Sequence, residues 1–154
     1  MAAKLAIGKT LPELRNSVTK ITSAFFEPAL DYVVVKIPRW DLDKYERVDP
    51  TIGSEMKSVG EVMSIARTFK EALQKAIRML NLGYDGVIDD ALVTSPDEVL
   101  RERLRKPDSK RVFVITAAFA KGFSVEEVAV LTGIDPWFLY SLRRIVETYR
   151  QLSV

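Results

Sequence analysis

The chain has 154 residues, of which 47% are hydrophobic and 29% charged; that suits one globular domain, or a domain with part of another. Its 23 basic and 21 acidic residues leave a net charge of +2, too little to indicate a nucleic-acid or membrane partner. There is no His and no Cys, which excludes disulfides, thiolate nucleophiles, Cys-based zinc sites and the commonest general base.

No apolar run approaches the roughly 20 residues of a membrane span. The opening MAAKLAIGKTLPEL lacks the basic region and sustained apolar stretch of a secretory signal. Residues 2–7 read instead as a helix end closed by Gly8, so the chain is expected to begin inside a longer protein. Leu11–Ser17 offers a second short helix with Pro12 in its first turn. Residues 30–37 are rich in β-formers, and Pro38 is expected to end that strand. Tyr32, Val34 and Lys36 face one way, and Val33, Val35 and Ile37 the other. A loop with Asp41, Asp43, Asp49 and Pro50 follows.

Residues 56–66 alternate again. Val59, Glu61, Met63 and Ile65 share one face; Ser58, Gly60, Val62 and Ser64 form a small-residue face suited to packing under a helix. The period then changes from 2 to 3.6 at Phe69, Ala72, Leu73, Ala76, Ile77 and Leu80. Thr68 and Glu71 make a capping box at the start of that helix, and Gly83 suits its end.

Residues 81–94 read as loop, and the signal beyond them is helical. Ser95, Pro96 and Glu98 mark a helix start. RVFVIT, within residues 109–121, suits a strand or a helix; the helix is preferred, ending at Gly122. Ser124 and Glu127 form another capping box. Asp135 caps a last helix with Pro136 in its first position, and Ile134 can staple against Leu139. Phe138, Leu142, Ile145, Tyr149 and Leu152 are expected to line its buried face. The fold class is therefore α+β, a small strand–strand–helix unit followed by an all-helical one, with a boundary near residue 81.

Three groups invite a functional reading. Glu61 sits on an otherwise apolar strand face, where an unpaired carboxylate would be costly; the plain reading is an ion pair with Lys57 or Lys36. Lys36 and Arg39 in KIPRW suit an anion, but pairing with Asp41, Asp43 and Glu46 is the stronger reading. SVEEVAVLTGIDPWFLYSLRR, residues 124–144, fits a helix-turn-helix template with Gly133 at the turn. A recognition helix presents its first residues to the bases, and here those are Asp135, Trp137 and Phe138, poor partners for phosphate or base edges. A helical hairpin packing a core is preferred, with nucleic-acid binding as the alternative. Any of Trp137, Phe138 and Tyr140 left exposed would suit a protein–protein contact.

FEPALDYVVVKIPRW, residues 26–40, MKSVGEVMSIARTFKEALQKAIRML, residues 56–80, and GIDPWFL, residues 133–139, resemble the large chain of carbamoyl-phosphate synthetase. The match spans nearly the whole chain and leans towards eukaryotic multifunctional pyrimidine-pathway forms. Two residues depart from the family's usual wording: Ala66 stands where Gly is usual, and Pro136 where Arg is usual. The resemblance implies that residues 1–80 are the C-terminal part of an ATP-grasp, carboxyphosphate-forming domain. It implies that residues 81–154 are a truncated helical oligomerisation domain.

The parent enzyme so implied joins bicarbonate, glutamine-derived ammonia and ATP to make carbamoyl phosphate for pyrimidine or arginine synthesis, with ATP and Mg or Mn as cofactors. The family's ATP, metal and glutaminase sites lie outside the residues matched. No catalytic, cofactor-binding or metal residue is therefore assigned here, and the chain is expected to be inactive alone. Met56 and Glu61 are carried over as part of the wall of the family's internal tunnel; a desolvated Glu61 would have a raised pKa. Implied partners are a glutaminase subunit or domain, the rest of the large chain and further copies of it, with no nucleic acid and no membrane. The implied location is cytoplasmic, with mitochondrial as the alternative.

Overall fold

The computed structural model describes residues 1–152, without the side chain of Asp43. The described chain falls into two units, which part between Asp31 and Tyr32. In the first, α1 (Ala2–Ala6) closes at Gly8, whose φ of +91° favours glycine. The second helix expected over Leu11–Ser17 is instead a single 3-10 turn, Leu11–Glu13. Glu13 accepts from the Thr10 backbone N–H at 2.8 Å and completes a capping box. The chain then straightens at Leu14 and makes an isolated bridge between Arg15 and Ser23. Asn16 Oδ1 accepts from the N–H groups of Val18 and Thr19, and this local turn competes with helix.

The second unit carries the sheet and the remaining helices. β1 (Val33–Arg39) and β2 (Gly60–Ala66) pair antiparallel, with Val35 opposite Ser64 and Lys36 opposite Met63. Pro38 does not end β1: it pairs opposite Glu61. Among the described residues β1 has one strand neighbour, so a missing N–H is tolerated on its open edge. β2 begins at Gly60 rather than at residue 56.

The small-residue face packs under α2 (Phe69–Met79), as expected. Ser64 is buried there and donates to the Ala72 carbonyl at 2.6 Å. The predicted Thr68–Glu71 capping box is present. Across the unit, Arg39 donates from Nη1 to the Leu80 carbonyl at the end of α2, at 2.8 Å.

The loop expected over 81–94 contains a short helix, α3 (Asp90–Val93), whose cap Asp89 accepts from the Ala91 N–H. α4 (Asp97–Arg105) takes Pro96 rather than Ser95 as its cap residue. α5 (Arg111–Ala120) is the helix that RVFVIT left open, and seven of its residues are buried. A segment apolar on all sides suits either element by pattern; enclosure by α3, α4 and α7 fits a buried helix. α6 (Val125–Thr132) starts at Ser124, which accepts from the Glu127 N–H, and ends at Gly133 in the left-handed region.

α7 (Pro136–Leu152) has Pro136 in its first position, and Asp135 accepts from the Trp137 N–H at 2.8 Å. Its buried face is Leu139, Leu142, Ile145 and Val146; Phe138, Tyr149 and Leu152, expected inside, are exposed. The fold is α+β, and one core joins Leu73 and Ile77 of α2 to Leu100, Leu104, Val114, Val128 and Leu139, with Val35, Ile37 and Val62 of the sheet against it.

Candidate functional site

Two faces of the sheet set its chemistry. The inner one is closed by α2. The outer one carries Tyr32, Val34, Met63 and Ile65, all exposed, with Val59 just before β2. Lys36 and Glu61 cross this face as an ion pair at 2.8 Å, their side chains 54% and 60% exposed. Lys36 is thus Glu61's partner. Lys57 is taken up elsewhere, donating to the carbonyls of Asp49 and Thr51 and standing 3.8 Å from Glu55. Met56, placed beside Glu61 by sequence, precedes β2 and is 91% exposed.

The KIPRW cations are structural. Arg39 reaches Asp41 at 3.2 Å as well as the Leu80 carbonyl, and Lys44 holds the other oxygen of Asp41 at 2.7 Å. Hydrogen bonds from Lys44 and then Arg39 hold the Asp41 carboxyl below its usual range. The side chain of Asp43 lies outside the described residues.

At the start of α7 Trp137, Phe138 and Tyr140 are all exposed. Phe69, from α2, joins them with its ring centroid 5.4 Å from both Trp137 and Phe138, which are themselves 4.9 Å apart, edge to face. Tyr140 donates to Glu126 at 3.1 Å. That bond and the Glu126 charge raise the Tyr140 pKa. Backbone and Tyr140 hydrogen bonds lower that of Glu126. Of Arg143 and Arg144, the two late arginines of α7 that a DNA-binding reading would use, Arg143 is paired with Glu147 at 2.8 Å.

One feature was not anticipated. A cavity of about 540 Å³ opens between the end of β1, α2 and the start of α5. Its wall draws on positions from Ile37 to Leu142, so no short motif marks it; the one local signal was the aromatic content around Phe69 and Phe138. Among the described residues no group of three His, Cys, Asp or Glu side chains is placed to hold a metal ion.

Residues 61–154 match the family model described as "Carbamoyl-phosphate synthetase large chain, oligomerisation domain". Over 99% of its length the chain is 53% identical to the "Carbamoyl phosphate synthase large chain, N-terminal section" of Methanopyrus kandleri, of which it covers 27%. It is 51% identical to the "Multifunctional protein CAD" of Squalus acanthias, over 99% of this chain and 7% of that one. It is 49% identical to the "Carbamoyl phosphate synthase arginine-specific large chain, mitochondrial" of Schizosaccharomyces pombe, over 99% of this chain and 13% of that one. The chain thus spans at most about a quarter of the length of these curated relatives. The helix-turn-helix alternative draws no support from them.

Proposed function

The chain belongs to the carbamoyl-phosphate synthetase large-chain family, and on that premise we propose that it is a scaffold and self-association segment of a glutamine-dependent carbamoyl-phosphate synthase. The whole enzyme would join bicarbonate, ammonia released from glutamine and ATP into carbamoyl phosphate. ATP and Mg or Mn would bind ATP-grasp residues outside this segment, and a glutaminase subunit or domain would supply the ammonia. The observation that carries this reading is near-complete coverage of the chain by large-chain relatives, with the oligomerisation match spanning α2 to α7.

Residues 1–80 are proposed as the end of the ATP-grasp domain and residues 81–154 as oligomerisation domain. That boundary falls inside one core, which the sheet and the helices share, and inside the oligomerisation match, which begins at residue 61. A cytoplasmic location is proposed, with mitochondrial as the alternative. The relatives include proteins named for both the multifunctional and the arginine-specific, mitochondrial forms.

Met56 and Glu61 are proposed to line an internal passage once the rest of the large chain covers the outer sheet face. Support comes from that face's composition: half-exposed apolar side chains around one ion pair, with the rest of the large chain available to cover it. The test places Glu61→Gln in the full-length enzyme. Glutaminase and partial ATPase rates should persist while the yield of carbamoyl phosphate per ATP falls. An unchanged coupling ratio would reduce Glu61 to a surface ion pair, worth at most about 1 kcal/mol.

A further inference from the structure

The cavity beside α5 takes no part in the reading above. Its wall draws on both sides of residue 81: Ile37 of β1, Leu73 and Ile77 of α2, Ile115 of α5 and Leu142 of α7. Its volume of about 540 Å³ falls within the roughly 300–1,000 Å³ of small-molecule sites. Most of the wall is apolar, and two ring pairs stand in it. Phe69 and Phe138 have centroids 5.4 Å apart, edge to face, and Tyr84 and Phe113 lie 4.2 Å apart, tilted by 31°.

The acid and the guanidinium of this wall are already engaged. Asp108 accepts from Arg103 Nη2 at 2.7 Å and Nε at 3.1 Å, and from the Lys110 backbone N–H at 2.8 Å. Arg111 donates from Nη2 to the Thr132 carbonyl at 2.7 Å, and its Nε is closed off inside the protein with no acceptor. Lys110 is half-buried, on a stem long enough to keep its ammonium in water. An ion of either sign entering the cavity would therefore shed water without gaining a free counter-charge, which is costly. An uncharged ring escapes that cost and gains contact with the apolar and aromatic wall.

We infer that this cavity binds a small uncharged aromatic molecule, its ring held among Phe69, Tyr84, Phe113 and Phe138. The wall belongs to the sheet, α2, α5 and α7 together, so an occupied cavity ties these elements to one another. A ligand that binds the folded state alone also raises its melting temperature.

Calorimetric titration of the full-length protein tests this with three probes built on one ring system: the uncharged 2-naphthol, the anion 2-naphthoate and the cation 2-naphthylmethylammonium. Naphthol should bind at least about tenfold more tightly than either ion, the equivalent of about 1.4 kcal/mol, and should raise the melting temperature. Two substitutions that take up cavity space locate the probe. Leu82 is exposed on the wall and Ile115 is enclosed on it. Leu82→Trp and Ile115→Phe each bring a ring to the space, the first without replacing a core side chain. Loss of naphthol binding in either variant, with native helix content by circular dichroism, places the probe in the cavity. Binding retained by every variant that folds would overturn the inference, as would an ion that binds as tightly as naphthol. So would no heat from any probe, the result expected if another part of the full-length chain fills the cavity. None of these readouts involves enzymatic turnover or self-association, so the inference fails or stands apart from the proposed function.

Discussion

The two units of this chain are built on different physics. From Tyr32 onward, side chains far apart in sequence enclose one another: Leu100, Leu104, Val114, Val125, Val128 and Leu139 are completely inaccessible. In residues 1–31 Leu14 is the one buried hydrophobic, while Ile7, Val18, Ile21, Phe25 and Phe26 stand in the open. Order in that segment comes from hydrogen bonds between near neighbours, at Thr10–Glu13 and around Asn16. Apolar content alone therefore does not make a core. Enclosure requires elements that return to one another, and the first 31 residues have one short helix, one 3-10 turn and one bridge.

Core substitutions should separate the units most strongly. Leu104→Ala removes a fully enclosed side chain and should cost about 2–5 kcal/mol, whereas Ile21→Ala, at a position 89% exposed, should leave stability within about 0.5 kcal/mol. Urea denaturation of both variants measures the gap, and equal losses would erase the distinction. Next comes Thr116, whose hydroxyl is buried at 2.7 Å from the Val87 carbonyl and 2.9 Å from that of Phe113. Thr116→Val keeps the shape but strands an acceptor, and should cost about 1–3 kcal/mol in the same assay. Ser124→Ala, which removes the cap of α6, should cost about 1 kcal/mol, read as a lower thermal midpoint.

The smallest effect belongs to the first unit. Hydrogen bonds from the Thr10 backbone, the Thr10 hydroxyl and then Lys9 lower the Glu13 pKa from its ordinary 4.5. A depressed carboxyl pKa contributes stability above the unfolded value and loses it as pH falls through the folded one. Acidification below about 4.5 should therefore loosen the Thr10–Glu13 turn, seen as a lower protection factor at the Thr10 amide, measured against its intrinsic exchange rate at each pH, while α5 amides stay protected. A Thr10 protection factor unchanged by acid would show that the carboxylate does not hold the turn.

Sequence patterns were most legible where local chemistry and periodicity agreed. Thr68 and Glu71 announce α2, and the 3.6 spacing behind them has no rival. α7 was legible as a helix but misread in rotation. Phe138 and Leu152 are as apolar as Leu139 and Val146, and Tyr149 presents a ring beside them, so two overlapping stripes compete, and the packing of α5 and α6 selects the second. The sheet posed a related problem. The small residues mark the face that α2 covers, but nothing in the alternation shows whether the opposite face is enclosed, and Glu61 lies there in water beside Lys36. A proline ends a strand only where a neighbour needs its N–H, and Pro38 lies in a strand with one neighbour among the described residues. The cavity was beyond reading, since Ile37, Phe69, Arg111 and Phe138 meet only after folding.

The bond from Arg39 to Leu80 bears on the order in which the sheeted half assembles. It joins residues 41 apart in sequence, a span whose closure from an unfolded chain costs on the order of 3 kcal/mol of entropy. Pairing of Arg39 with Gly60 has already brought the chain around, and α2 returns it alongside β1. The guanidinium therefore latches onto a ring that other contacts have closed, and little extra freedom is surrendered when it does. The bond thus adds to what must be broken before the hairpin and α2 separate.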